Sequence, residues 1–229
     1  MNTQGKDHGS KSHLDAYRKL RPGDLDAAIR ASAGLGDVPL EWVYPTPGKT
    51  GAPEPKGVNF LKGRPDVRAL WKEFWPQRGN QQRWDGVAKC GDTWLLMEAK
   101  ANHPEFCTPP CGAKAEGGRK QIEKVLNQTK KVLGVHVHFT WLGSYYQYAN
   151  RLAVLYFLAE KARPPVDARL VFIYFCGDRF PDGRPCPASR PEWQPLIEAR
   201  RLTLGLPGRH PLSDRIHEVF LEVLRHSDK

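Results

Sequence analysis

The stretch from Trp84 to Lys100, WDGVAKCGDTWLLMEAK, sets two runs of aliphatic, aromatic and β-branched residues on either side of a Gly-Asp pair. Such a two-residue link fits a tight β-hairpin, because the turns that match strand twist need residues tolerant of positive φ. With Gly91 and Asp92 at the turn, Cys90 pairs with Thr93 and the register follows by counting outward. Lys89 then faces Trp94, Val87 faces Leu96, Asp85 faces Glu98 and Arg83 faces Lys100. Side chains alternate across a strand, so these residues share one face while Leu95, Met97 and Ala99 line the other.

The register puts two carboxylates opposite each other. Directly opposed Cβ atoms sit roughly 4.5 to 5.5 Å apart, where like charges destabilise the pair. A divalent cation between Asp85 and Glu98 reverses that penalty. Two carboxylates and a lysine two positions along are what metal-assisted phosphodiester cleavage requires. Oxygen ligands hold Mg²⁺ or Mn²⁺, which neutralises charge building on phosphate and acidifies a bound water. The ammonium of Lys100 orients that water or stabilises the oxyanion. The plainer reading is a surface hairpin with an exposed Glu98–Lys100 pair. Against it stands the apolar run WLLMEAK, since buried charges need partners.

The whole chain is compatible with that chemistry. Its 229 residues, 40% hydrophobic, suffice for one sizeable domain. The first dozen residues are polar, with no hydrophobic region of a secretory signal, which predicts a cytoplasmic protein. The longest apolar runs, at 152–159 and 170–176, fall well short of the roughly 20 residues that span a bilayer, so no membrane partner is expected. Five cysteines without repeated spacing point to reduced thiols. His103, Cys107 and Cys111 lack a CxxC pair and read as a cysteine-containing loop rather than a zinc site. A formal charge of +10 and a pI near 9.5 favour a polyanionic partner, nucleic acid first among them.

Along the chain, HLDAYRKL and PGDLDAAIRASAGLG predict two N-terminal helices. The Pro/Gly-rich YPTPGKTGAPEPKG then reads as a linker, making residues 1–56 a helical appendage and 57–229 the main domain. TPGKTG holds a Gly-Lys-Thr but lacks the first glycine of a P-loop and a preceding apolar strand, which disfavours a phosphotransferase or NTPase. DVRALWKEFWPQ predicts a helix capped by Asp66, with Glu73 as its interior acid. GGRKQIEKVLNQTKKVLG predicts an amphipathic helix whose basic outer face, with Lys120, Lys124 and Lys131, suits a phosphate backbone or simply solvent. SYYQYANRLAVLYFLAEKA, capped by Ser144, predicts a central packing helix that carries Gln147 and Arg151 on one face. DARLVFIYFCGD reads as a strand buried on both faces in the middle of a sheet. PLSDRIHEVFLEVLRH reads as a C-terminal amphipathic helix.

Asp85, twelve residues, and then Glu98-Ala99-Lys100, set in an apolar hairpin between two helices, resembles the PD-(D/E)XK nuclease superfamily. That superfamily includes many restriction endonucleases, RecB-like nucleases and the lambda exonuclease. The resemblance covers roughly Asp66 to Cys176, about half the chain. It implies an α/β (α+β) fold with a restriction-endonuclease-like core, a central mixed β-sheet flanked by helices. Helix, three-stranded meander, second helix and fourth strand are then expected in that order. It implies a Mg²⁺-dependent nuclease or endonuclease, with DNA ahead of RNA as substrate. The alternative is a catalytically silent module of the same fold that binds nucleic acid or protein. Asp85 and Glu98 would hold the metal together with a helix-borne acid, Glu73, whose rival is Glu41. Lys100 would be catalytic. Gln147 is similar in position to a glutamine of RecB-like sites, but Arg151 stands where those carry a tyrosine. Arg151 joins Lys120, Lys124 and Lys131 as an expected nucleic-acid contact. Trp84 replaces the motif's proline. The short interval between Pro76 and Asp85 leaves the first meander strand short, displaced upstream or supplied by GVNFLKG. A second copy of the chain or a partner protein is left open.

Overall fold

The computed structural model describes residues 8–46, 53–79, 81–114 and 118–224. In chain order these form α1 (Ser10–Leu20), α2 (Pro22–Ala33), β1 (Glu41–Tyr44), α3 (Pro65–Phe74), β2 (Gly86–Cys90) and β3 (Thr93–Lys100). A single turn α4 (His103–Phe106), then α5 (Arg119–Val132) and α6 (Tyr146–Tyr156), lead to β4 (Ala168–Cys176), α7 (Arg190–Thr203) and β5 (Ile216–Glu222). The strands make one mixed sheet in the order β1-β2-β3-β4-β5, antiparallel across the first two junctions and parallel across the last two. Parallel neighbours need long crossovers, which here contain α5 and α6 before β4 and α7 before β5. The chain is therefore α/β, with helices on both faces of the sheet.

The hairpin takes the register that the Gly-Asp turn dictates. Gly91 sits at φ 58, and Cys90 pairs with Thr93, Lys89 with Trp94 and Val87 with Leu96. The count fails at Asp85. Regular pairing ends at Gly86 opposite Met97, and the Asp85 N–H also points to the Met97 carbonyl. Upstream the chain leaves β3 altogether, so Arg83 bridges Lys56 instead of facing Lys100. Gly86 permits this, because a Cβ there would stand 2.9 Å from Met97 Sδ and 3.0 Å from the Trp42 ring.

Alternation along the strands divides the core in two. Val87, Leu96, Leu170, Phe172 and Tyr174 pack under Trp71, Leu126, Leu155 and Trp193. Ala88, Leu95, Met97, Val171, Ile173 and Phe175 pack under Leu14, Tyr17, Leu25 and Ile29. β4 is buried on both faces in the sheet interior, as its continuous apolar run requires. The second cluster crosses residue 56, with α1 and α2 over the sheet and β1 paired to β2 within it. α1, α2 and β1 belong to the same packed unit as the rest of the sheet, since without them its second face would be bare. β1 pairs antiparallel with β2 from upstream of α3, and GVNFLKG forms turns.

Three further elements depart from expectation. The C-terminal segment is a strand, because the edge of β4 is open and Ile216–Glu222 pairs along it from Leu170 to Cys176. α3 begins at Pro65, with Arg64 at its N-cap and Asp66 in its first turn. α6 begins after Tyr145, not at Ser144, and ends in a π-helical turn over Phe157–Lys161. The Gly-Lys-Thr of TPGKTG lies outside the described residues. Among the described residues no helix is long and apolar enough to cross a membrane.

Candidate active site

β3 carries Glu98 and Lys100 on the face covered by α6, where they are only 4% and 9% exposed. They face a helix, not solvent, which rules out the exposed-pair reading. α6 meets them with its first turn. Tyr145 before it is held at φ 63, a left-handed conformation that costs a tyrosine backbone strain. The Gln147 N–H, free of an intrahelical partner at this position, donates to Thr108 Oγ1 at 3.2 Å. Gln147 and Arg151, one turn apart, then project together toward β3.

The polar groups form one chain. Lys100 Nζ donates to Gln147 Oε1 at 2.6 Å and to Glu98 Oε1 at 2.7 Å. Arg151 donates to the other oxygen, Glu98 Oε2, from Nε at 2.9 Å and from Nη2 at 2.6 Å. Its Nη1 donates to Asn150 Oδ1 at 2.7 Å, and the guanidinium lies 4.8 Å from the centre of the Trp84 ring. Asp85, half-buried, accepts the Ala99 N–H on Oδ2 at 2.8 Å. Its carboxylate thus takes the place of the strand carbonyl that the broken ladder no longer supplies. Asp85 Oδ1 has no hydrogen-bond partner among the described residues.

The two acids carry unequal electrostatic loads. Burial and the neighbouring charge of Glu98 push the Asp85 carboxyl up to about 7, outweighing Lys100, the Ala99 N–H and Arg151. Burial alone would raise Glu98 as well, but Arg151 and Lys100 together hold it below its ordinary value. Glu98 is therefore an anion with both oxygens bonded to cations, and Asp85 is short of positive charge. A hard divalent cation suits this pair, since Mg²⁺ takes one or two carboxylates and completes its shell with water and substrate phosphate. Among the described residues no three His, Cys, Asp or Glu side chains gather as a metal cage. Any cation would rest on Asp85 Oδ1 and Glu98, and at Glu98 it meets Arg151.

Asp85, Glu98, Lys100, Gln147 and Arg151 thus come together. Glu73 does not join them by any hydrogen bond or ion pair among the described residues. It lines a groove between α3 and α5 with Phe74, Lys120 and Lys124, where Gln121 Nε2 donates to its backbone carbonyl. α3 docks on the far end of α6, with Trp71 and Phe157 rings 5.0 Å apart. Phe157 lies about 9 Å beyond Arg151 at roughly 1.5 Å rise per residue. Glu41 pairs with Lys89 toward the hairpin turn, roughly 13 Å along the strand from the level of Glu98 at about 3.3 Å per residue. Neither glutamate supplies a third acid. Lys120, Lys124 and Lys131 are exposed on α5, but Arg151 is 2% exposed and does not share their surface. Cys107 Sγ lies 3.5 Å from His103 Nε2 and 3.7 Å from Tyr145 Oη, beside the start of α6.

Comparison with protein-family models, with curated proteins and with solved structures returned no match.

Proposed function

We propose that this chain is a metal-dependent nuclease of PD-(D/E)XK type, with a restriction-endonuclease-like core, hydrolysing phosphodiester bonds of nucleic acid, DNA ahead of RNA. One observation carries the reading. Asp85, Glu98, Lys100 and Gln147 converge where β3 passes under α6, and Asp85 there lacks the positive charge it needs. Asp85 and Glu98 would hold Mg²⁺ or Mn²⁺, which when bound would neutralise phosphate charge and acidify a water. Lys100, gripped by Glu98 and Gln147, presents an ammonium of fixed position to an attacking water or to the phosphate oxygens. Gln147 keeps that ammonium from collapsing wholly onto Glu98. The exposed lysines of α5 add a sequence-independent hold on the phosphate backbone. Free thiols at all five cysteines are in keeping with a cytoplasmic place of action.

A specific observation favours a second reading, the silent module of the same fold. Arg151 and Lys100 already neutralise Glu98, as in a site retired from catalysis. Digestion of single- and double-stranded DNA and RNA with Mg²⁺ separates the two. The nuclease reading expects cleavage by wild type that EDTA abolishes and that Lys100→Ala lowers by at least about a hundredfold. Intact substrates throughout, with salt-dependent binding retained, would establish the silent module.

A further inference from the structure

We infer that Arg151 is the resident counter-ion of Glu98, and that a divalent cation enters the Asp85–Glu98 pair only by taking its place. The inference rests on the reading of Asp85 and Glu98 as a cation pair. Arg151 is held from several sides. Two of its nitrogens bond one carboxylate oxygen, a third bonds Asn150, Nη2 also reaches the Arg83 carbonyl at 2.5 Å, and the guanidinium carbon lies over the Trp84 ring. With Lys100 on Oε1, both Glu98 oxygens already meet a positive charge.

The same arrangement is incomplete at Asp85. One guanidinium serves one of two acids, and the second acid keeps an oxygen without a donor among the described residues. A structural ion pair has no reason to leave that remainder, whereas a dication between the acids serves both. With Asp85, Glu98, Lys100 and Arg151 all ionised, the site sums to zero charge. A dication added beside an unmoved Arg151 would therefore leave the site at a net charge of about +2, with two cations sharing one ligand. Burial strengthens that repulsion, because little water is present to screen it. Cation affinity is thus set by how readily Arg151 leaves Glu98, and the protein keeps Glu98 paired in the absence of metal at the expense of weak binding.

Mn²⁺ titration calorimetry on wild type, Arg151→Gln and Arg151→Lys tests this. Arg151→Gln should bind Mn²⁺ at least about tenfold more tightly than wild type, since a neutral amide no longer competes for the carboxylate. Arg151→Lys keeps the charge and should bind no more tightly than wild type. Adding Asp85→Asn to Arg151→Gln should remove the gain. Loss of a buried charge destabilises Glu98, so a wild-type readout guards against a variant that fails to fold. In nuclear magnetic resonance, the Arg151 Nε–H signal, protected by Glu98, should vanish or shift with the same Mg²⁺ midpoint as the Ala99 amide. Equal affinities in wild type and Arg151→Gln, or an Nε–H signal unchanged while the Ala99 amide responds, would overturn the inference and leave the cation pair standing. Failure of both proteins to bind Mn²⁺ at about 10 mM, above the roughly millimolar range of weak hard-cation sites, would overturn both. Tight Mn²⁺ binding by Arg151→Gln, with no cleavage of any nucleic acid by wild type, would uphold the inference and refute the nuclease reading alone.

Discussion

Replacing Asp85 by Asn in metal-free protein should make the fold more stable, and the gain should grow with pH. The folded carboxyl is raised from 3.8 to about 7. Between those values the unfolded chain releases the proton while the folded chain holds it, so stability that is full below about 3.8 is lost as pH rises toward 7. At about 1.36 kcal/mol per pH unit, the interval sets a ceiling of about 4 kcal/mol. Asp85 is only half-buried, and screening along its open edge reduces the expected effect to about 2 kcal/mol. Asparagine cannot ionise, yet its side-chain carbonyl still accepts the Ala99 N–H. Urea unfolding in EDTA should therefore give a variant about 2 kcal/mol more stable than wild type at pH 8, and a difference within about 0.5 kcal/mol at pH 4. A difference of the same size at both pH values, or a variant weaker than wild type at pH 8, would refute the claim that Asp85 lacks a counter-charge.

Gln147→Ala should lower the cleavage rate by about tenfold, by freeing Lys100, while unfolding free energy changes by no more than about 1.5 kcal/mol. Single-turnover kinetics alongside urea unfolding separates the two effects, and an unchanged rate would remove Gln147 from the site. The double variant Lys120→Glu with Lys124→Glu should weaken nucleic-acid binding and reduce the slope of log affinity against log salt by roughly 2, one phosphate contact per lysine. An unchanged slope would make that face of α5 merely solvated. Ile29→Ala, on a helix expected to lie outside the main domain, should cost about 2 to 5 kcal/mol in one cooperative transition. A separate early transition, or no loss, would restore α2 to an appendage.

What the sequence revealed of this fold depended on how local the deciding contact was. The hairpin register could be read because Gly91 and Asp92 settle it within a few residues. It failed at Asp85, where the partner of the chain becomes the remote 55–57 segment. Ile216, Val219, Phe220 and Val223 satisfy a helical spacing, but Ile216–Glu222 also alternates, and only the open edge of β4 decides for a strand. The apolar residues of α1 and α2 were visible, but the Pro/Gly-rich run after them looked like a boundary. Nothing nearby shows that the sheet face they cover belongs to strands roughly 60 to 190 residues away. In the candidate site, the shared face of Gln147 and Arg151 followed from helical period. That Arg151 grips Glu98, 53 positions distant, did not, and the same long reach defeated Glu73, whose helix docks at the wrong end of α6. α7 was not anticipated.

The change from antiparallel to parallel pairing at β3 gives the site an order of assembly. The β2–β3 hairpin closes over a two-residue turn and forms on the microsecond scale of local structure. Arg151 reaches Glu98 only when α6 settles on the sheet, and β4, which follows α6, pairs with β3 across some 70 residues, a far slower closure. Asp85 and Glu98 are therefore neighbours before their arginine arrives. During that interval the nascent hairpin holds two acids with Lys100 as the nearest cation. Lowering the pH toward that of a protonated Asp85 should accelerate the early step and leave the later docking rate unchanged, which stopped-flow refolding across pH would resolve.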